Sequence, residues 1–64
     1  MYQLVVRRTG EPGPVETATA ASATEVLSLI PKLLDRYPDC ERIEIMAGVT
    51  RLFAVDCEGA RIPD

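Results

Sequence analysis

The sequence predicts a two-layer α+β domain, one helix packed on one face of a small sheet, with strand, helix, strand, strand in chain order. Three observations carry this expectation. Apolar residues alternate with period two near the start and again, twice, after residue 41. Between them runs a stretch with helical period that opens on a capping signature. The 64 residues are 47% apolar and 27% charged, a balance that buries a core but leaves room for only one. A single domain over residues 1–64 follows.

The first strand is read over Tyr2 to Arg8, where Tyr2, Leu4 and Val6 fall on one side against Gln3, Val5 and Arg7 on the other. It must stop at Thr9-Gly10-Glu11-Pro12-Gly13-Pro14, because two glycines and two prolines in six residues sustain neither a ladder nor a helix. Residues 15–21, Val-Glu-Thr-Ala-Thr-Ala-Ala, mix strand and helix formers, and their conformation is left open.

The helix starts at Ser22-Ala23-Thr24-Glu25, where the Ser22 hydroxyl is placed to accept from the Glu25 amide and the Glu25 carboxylate to reach back to the Ser22 amide. Val26, Leu29, Ile30, Leu33 and Tyr37 then form one stripe, widened by Leu27 and Leu34. Pro31 interrupts it, removing an amide donor and crowding the Leu27 carbonyl, so a kink is expected there. A shorter helix with Pro31 in its first turn is the alternative, but cap and stripe both begin before the proline. Tyr37-Pro38-Asp39 ends the helix.

Arg42 to Met46 and Arg51 to Cys57 read as a hairpin whose register has two solutions. A two-residue Gly48-Val49 turn would set Ile45 against Leu52 and Cys40 against Cys57. A loop one residue longer would set Ile45 against Phe53 and Ile43 against Val55, keeping the large apolar residues on one face. The second is preferred because burying a face outweighs turn statistics. Residues 60–64 are read as a tail.

With three strands, a crossover through the helix leaves room for the last strand between the other two, giving order 1-3-2 in a mostly antiparallel sheet. The covered face would hold Leu4, Val6, Ile43, Ile45, Phe53 and Val55 under Val26, Leu29, Ile30, Leu33 and Leu34. The uncovered face would show Val5, Met46, Leu52 and Ala54 among Gln3, Arg7, Glu44 and Asp56. Those four apolar residues are the candidate partner surface, since a small domain can cover an open face and free edges with a second copy or a small protein partner.

The composition removes most catalytic routes. Histidine is absent, which excludes serine-histidine and cysteine-histidine pairs. Cys57 falls on the inward side and reads as a small buried hydrophobe, while Cys40 has the acidic neighbours Asp39 and Glu41, which raise a thiol's pKa. Glu44, Asp56 and Glu58 lie along strands and read as cross-strand partners, Glu44 with Arg42, Arg51 or Arg7. No enzyme, cofactor or metal site is expected. Gly10 and Gly13 alternate with prolines that lack the amide donors of a phosphate-binding loop.

Nucleic acid is the second functional reading, through Arg7, Arg8, Arg42 and Arg51 at strands or their ends. The net charge of −3 and only three aromatic residues weigh against it. Neither a membrane-spanning run nor a cationic amphipathic helix is present, and the first residues lack the pattern of a secretory signal, so a cytoplasmic protein clear of the membrane is expected. The sequence thus favours a non-enzymatic interaction module that self-associates through its sheet.

Overall fold

The computed structural model describes residues 1–62 and has the expected class, one helix against an antiparallel sheet, with four strands in place of three. The elements are β1 (Tyr2–Arg7), β2 (Glu16–Ala20), α1 (Ala23–Arg36), β3 (Arg42–Ala47) and β4 (Thr50–Asp56). Their order across the sheet is β2-β1-β3-β4, with every neighbouring pair antiparallel. The expected order 1-3-2 is therefore corrected. The last strand lies at an edge, and β3 pairs directly with β1.

The added strand causes the rearrangement. Residues 15–21, left open by the sequence, turn back along β1, pairing Leu4 with Ala18 and Tyr2 with Ala20. The reversal runs through Arg8-Thr9-Gly10-Glu11, where the Glu11 amide donates to the Arg8 carbonyl and Gly10 has φ +88°. Glycine supplies that positive φ without steric cost. β2 and β3 consequently run parallel to each other with β1 between them, so α1 connects two parallel strands across an inserted one. A strand is inserted into the crossover as expected, but it is the first and not the last.

α1 runs as one element from Ala23 to Arg36 through Pro31, and not as the shorter alternative. Ser22 caps it by accepting from the Glu25 amide at 3.2 Å. The Glu25 carboxylate reaches one residue further back than expected and accepts from the Ala21 amide at 3.0 Å. Val26, Ile30 and Leu33 are buried, whereas Leu29 and Leu34 only flank the core and Leu27 is 66% exposed.

The core consists of those three helix residues together with Leu4, Val6, Ala20, Ile43, Ile45 and Val55. Phe53, expected inside, is half-buried at its margin, and Ala20 takes a place the sequence did not assign. Leu4, Val6, Ile43 and Ile45 are the largest side chains wholly removed from solvent, and all belong to the two central strands.

The β3–β4 hairpin satisfies both of its competing registers. At the tip, Ala47 faces Thr50 and Met46 faces Arg51 around a Gly48-Val49 turn, with Gly48 at φ +63°. From Ile45 onward the pairing is Ile45 with Phe53 and Ile43 with Val55, the register that buries the large apolar residues. A bulge between Ile45 and Met46 reconciles the two, leaving Leu52 as the extra residue without a partner.

Candidate functional site

The bulge redistributes the residues expected on the uncovered face. Arg51 now shares that face with Met46, while Leu52, placed there by strict alternation, instead lines a depression on the helix side with Tyr2, Val26, Leu27, Ile45 and Phe53. Leu52 is thereby removed from the candidate partner surface. Of the other three, Val5 and Met46 are half-buried on adjacent strands and Ala54, opposite Glu44, is buried. Thr17 and Thr19 of β2 extend the same face past Val5 and Gln3. The apolar part of the open face is therefore narrow.

The rest of this face is charged. Arg7 Nε donates to Glu44 Oε1 at 3.0 Å, and Arg42 Nε and Arg51 Nη1 each stand 3.8 Å from Glu44 Oε2. Strand register explains the convergence, because Arg7 lies opposite Arg42 and Arg51 opposite Met46, on either side of Glu44. The Glu44 side chain is only 13% exposed, and Arg42 Nε also faces Glu41 Oε2 at 3.8 Å. Three guanidiniums surround one shielded carboxylate, and Glu41 against Arg42 and Asp56 opposite it supply further negative charge. The expectation that Glu44 partners Arg7, Arg42 and Arg51 is met at all three positions.

Arg8 does not join them. One residue beyond Arg7 on an alternating strand, it turns to the helix side, where Nη2 meets Asp39 Oδ1 at 3.2 Å and the guanidinium carbon stands 5.8 Å from the centre of the Tyr37 ring. The four arginines of the nucleic-acid reading thus divide three and one. Tyr2 and Phe53 line the depression on the helix side, so neither offers a ring to a base on the open face.

Two features near the exit of β4 differ from the preferred sequence reading. Cys40 and Cys57 form a disulfide with Cα atoms 5.6 Å apart, joining the approach to β3 with the exit of β4. This corrects the reading of Cys57 as an isolated hydrophobe. The pairing had been tied to the register that was not preferred, yet β3 and β4 in the preferred register bring Glu41 level with Cys57 and leave Cys40 one position away. The second feature is Asp56, expected as a surface partner. Its Oδ1 accepts from the Glu58 and Ala60 amides at 2.8 and 3.0 Å, while Gly59, at φ +87°, donates to its carbonyl. The Asp56-x-x-Gly59 spacing was the available signal for this turn.

That turn returns the tail along β4. The Asp56 amide donates to the Ala60 carbonyl, the Ile62 amide donates to the Ala54 carbonyl, and Arg61 bridges Val55. Arg61 also stands over the Phe53 ring at 5.6 Å. Residues 60–62, read from the sequence only as part of a tail, lie on their own sheet. Residues 63–64 fall outside the described part of the chain.

The other end of the sheet is tied by Glu16. Its Oε1 accepts from Arg36 Nη1 at 2.9 Å and from the Tyr37 hydroxyl at 2.7 Å. The Tyr37 hydrogen bond, and then Arg36, hold the Glu16 carboxyl below its ordinary pKa, and the same carboxylate raises the Tyr37 phenol. β2 is thus fastened to the end of α1 by a charge that a pattern of apolar positions could not assign.

Among the described residues no cluster of three or more acidic or cysteine side chains is arranged to hold a metal ion. No helix there is long and apolar enough to cross a membrane. Comparison with known proteins identifies no relative: no family model, no curated protein and no solved structure matches the chain.

Proposed function

We propose that this chain is a small non-enzymatic protein-interaction module that self-associates through its sheet. The observation that carries this reading is the incomplete enclosure of the sheet. α1 covers one face and the tail covers part of one edge, which leaves the opposite face and the β2 edge for another chain. A domain of this length gains disproportionately from a partner, because its own core removes a smaller share of its surface from water. Light scattering over a dilution series tests the reading. A doubled mass that survives high salt supports it, and a monomer at every concentration overturns it.

A second reading, nucleic-acid binding, is favoured by one specific observation, the gathering of Arg7, Arg42 and Arg51 on the open face. Glu44 already opposes all three, and no aromatic ring lies beside them for stacking, which places this reading second. Titration with single-stranded RNA separates the two. Binding that weakens steeply with salt and is lost in Arg51→Glu supports nucleic acid, and salt-independent self-association unaffected by that change supports the module.

A cytoplasmic setting belongs to the same proposal, and the disulfide sets a condition on it. In a reducing compartment Cys40 and Cys57 would be held as thiols.

A further inference from the structure

We infer that the disulfide between Cys40 and Cys57 is a redox latch on the β4 edge. Oxidised, it keeps residues 58–62 docked along the outer side of β4, and reduction by a dithiol releases them while the helix and the rest of the sheet stay folded. The latch concerns an edge other than β2 and stands apart from the self-association proposed above.

The bridge joins two segments that are held very differently. Cys40 lies in a stretch fixed by other means. Its amide donates to the Tyr37 carbonyl at 3.1 Å, and the next amide, of Glu41, donates to the Arg7 carbonyl at 2.7 Å. Arg8 meets both Asp39 and the Tyr37 ring, the Thr9 hydroxyl donates to Glu41 Oε1 at 3.1 Å, and Cys40 itself packs against the core. Breaking the S–S bond leaves all of these contacts in place.

Past Val55 the chain has no such support. None of residues 56–62 is buried, and Asp56, Cys57 and Ile62 are only partly shielded. The ladder with β3 ends at the pair Arg42 and Asp56, so Cys57 is the first residue beyond it and stands at the hinge of the return. Two backbone bonds lay the tail on β4, Asp56 amide to Ala60 carbonyl and Ile62 amide to Ala54 carbonyl, together with the turn closed on Asp56. Arg61 over the Phe53 ring adds a surface contact. Exposed bonds of this kind gain little over bonds to water, whereas each residue they order loses backbone freedom. Fixing Cys57 to an anchored Cys40 suppresses fraying at the hinge and tips that balance towards the docked tail.

Both cysteines are half-buried, which leaves a small thiol access to the bridge. One thiolate of the dithiol attacks a bridge sulfur, the S–S bond breaks and a mixed disulfide forms. The second thiolate then displaces the remaining protein sulfur. Two electrons pass to the protein, Cys40 and Cys57 leave in turn as thiolates that take up the two protons the dithiol has lost, and the dithiol becomes a cyclic disulfide. A disulfide oxidant reverses the sequence. Release uncovers the Ala54 carbonyl and the Asp56 amide, so that an edge closed in the oxidised chain becomes open to another strand.

The test measures backbone order parameters and amide exchange on the whole chain, oxidised and then in dithiothreitol. The chain has two cysteines, both in the bridge, so the reductant has one target. On reduction the order parameters of residues 58–62 are expected to fall from about 0.85 to below about 0.6, with those of residues 40–42 unchanged. The Ile62 amide is expected to exchange about tenfold faster or more, and reoxidation to restore both readings. A Cys40→Ser, Cys57→Ser variant is expected to match the reduced chain with or without dithiothreitol. Residues 58–62 that stay ordered after reduction overturn the latch, since the backbone bonds would then hold the tail alone. Loss of the whole fold on reduction, or loosening of residues 40–42 along with the tail, also overturns it, because the bridge would be a staple of the domain. If the double variant fails to fold, the reduced chain decides.

Discussion

The outer strands of this sheet, β4 and β2, are finished by different physics. β4 is closed by a disulfide at its exit, a bulge near its start and a tail that returns along its outer side. β2 is a short run of small residues, fastened to the end of the helix through Glu16 and open along its outer side. Beyond the ladder to its neighbour, a disulfide and backbone bonds to the tail close one edge, while buried Ala20 and the Glu16 contacts with Arg36 and Tyr37 fasten the other. The comparison teaches that an edge with little apolar surface can still be fixed in place, but is then left available to another strand.

The largest expected effect on this contrast is removal of the β4 tie. A Cys40→Ser, Cys57→Ser double variant closes no loop in the unfolded chain, and for a separation of 17 residues the loss is roughly 3 kcal/mol by chain-entropy arguments. Urea unfolding of the variant beside the oxidised protein measures it, and equal midpoints would show that the disulfide does not distinguish the edges.

Gly59→Ala acts on the same edge with a smaller effect. Gly59 has φ +87°, and a β carbon there would meet Leu34 Cδ1 at 3.3 Å, so a cost of about 1 kcal/mol is expected. A change within error would mean that the Asp56 turn rearranges freely.

Amide exchange sharpens the comparison without mutation. At dilutions where only monomer is present, Asp56 and Ile62, whose amides donate to Ala60 and Ala54, are expected to exchange more slowly than the outward amides of β2. Equal protection would remove the difference in closure between the two edges.

The smallest effect concerns the tie of β2. The Glu16 carboxyl is held below its ordinary pKa of 4.5, so its contribution is present above that value and is lost as the pH falls through the lower, folded-state pKa. Glu16→Gln is expected to lessen stability slightly at neutral pH and to flatten the acid side of the profile. An acid limb unchanged in this variant would assign the acid sensitivity to other carboxylates.

Much of this fold is legible in the residue pattern. Leu4, Val6, Ile43, Ile45 and Val55 alternate as strand residues with one face buried, and Ser22 with Glu25 marks the helix start, since these signals are local and repeat with the period of the element. β2 was not legible, because its inward positions are Glu16, Ala18 and Ala20 and give little apolar contrast with Thr17 and Thr19. Its strand conformation comes from pairing with β1. The site was legible only in part. The alternation of Arg7, Glu44 and Arg42 anticipated their meeting, but the positions of Arg51 and Leu52 depend on a bulge that no period of two can express.

The sequence by itself determined the α+β class, the helix and its cap, the central apolar strands and the absence of histidine chemistry. Each follows from residue type and spacing along a few turns or a few strand positions. Only the tertiary structure decided the strand order, the bulge, the disulfide and which edge stays open. Those outcomes depend on segments distant in the chain competing for the same neighbour, and β1, with two free sides, accepts both β2 and β3.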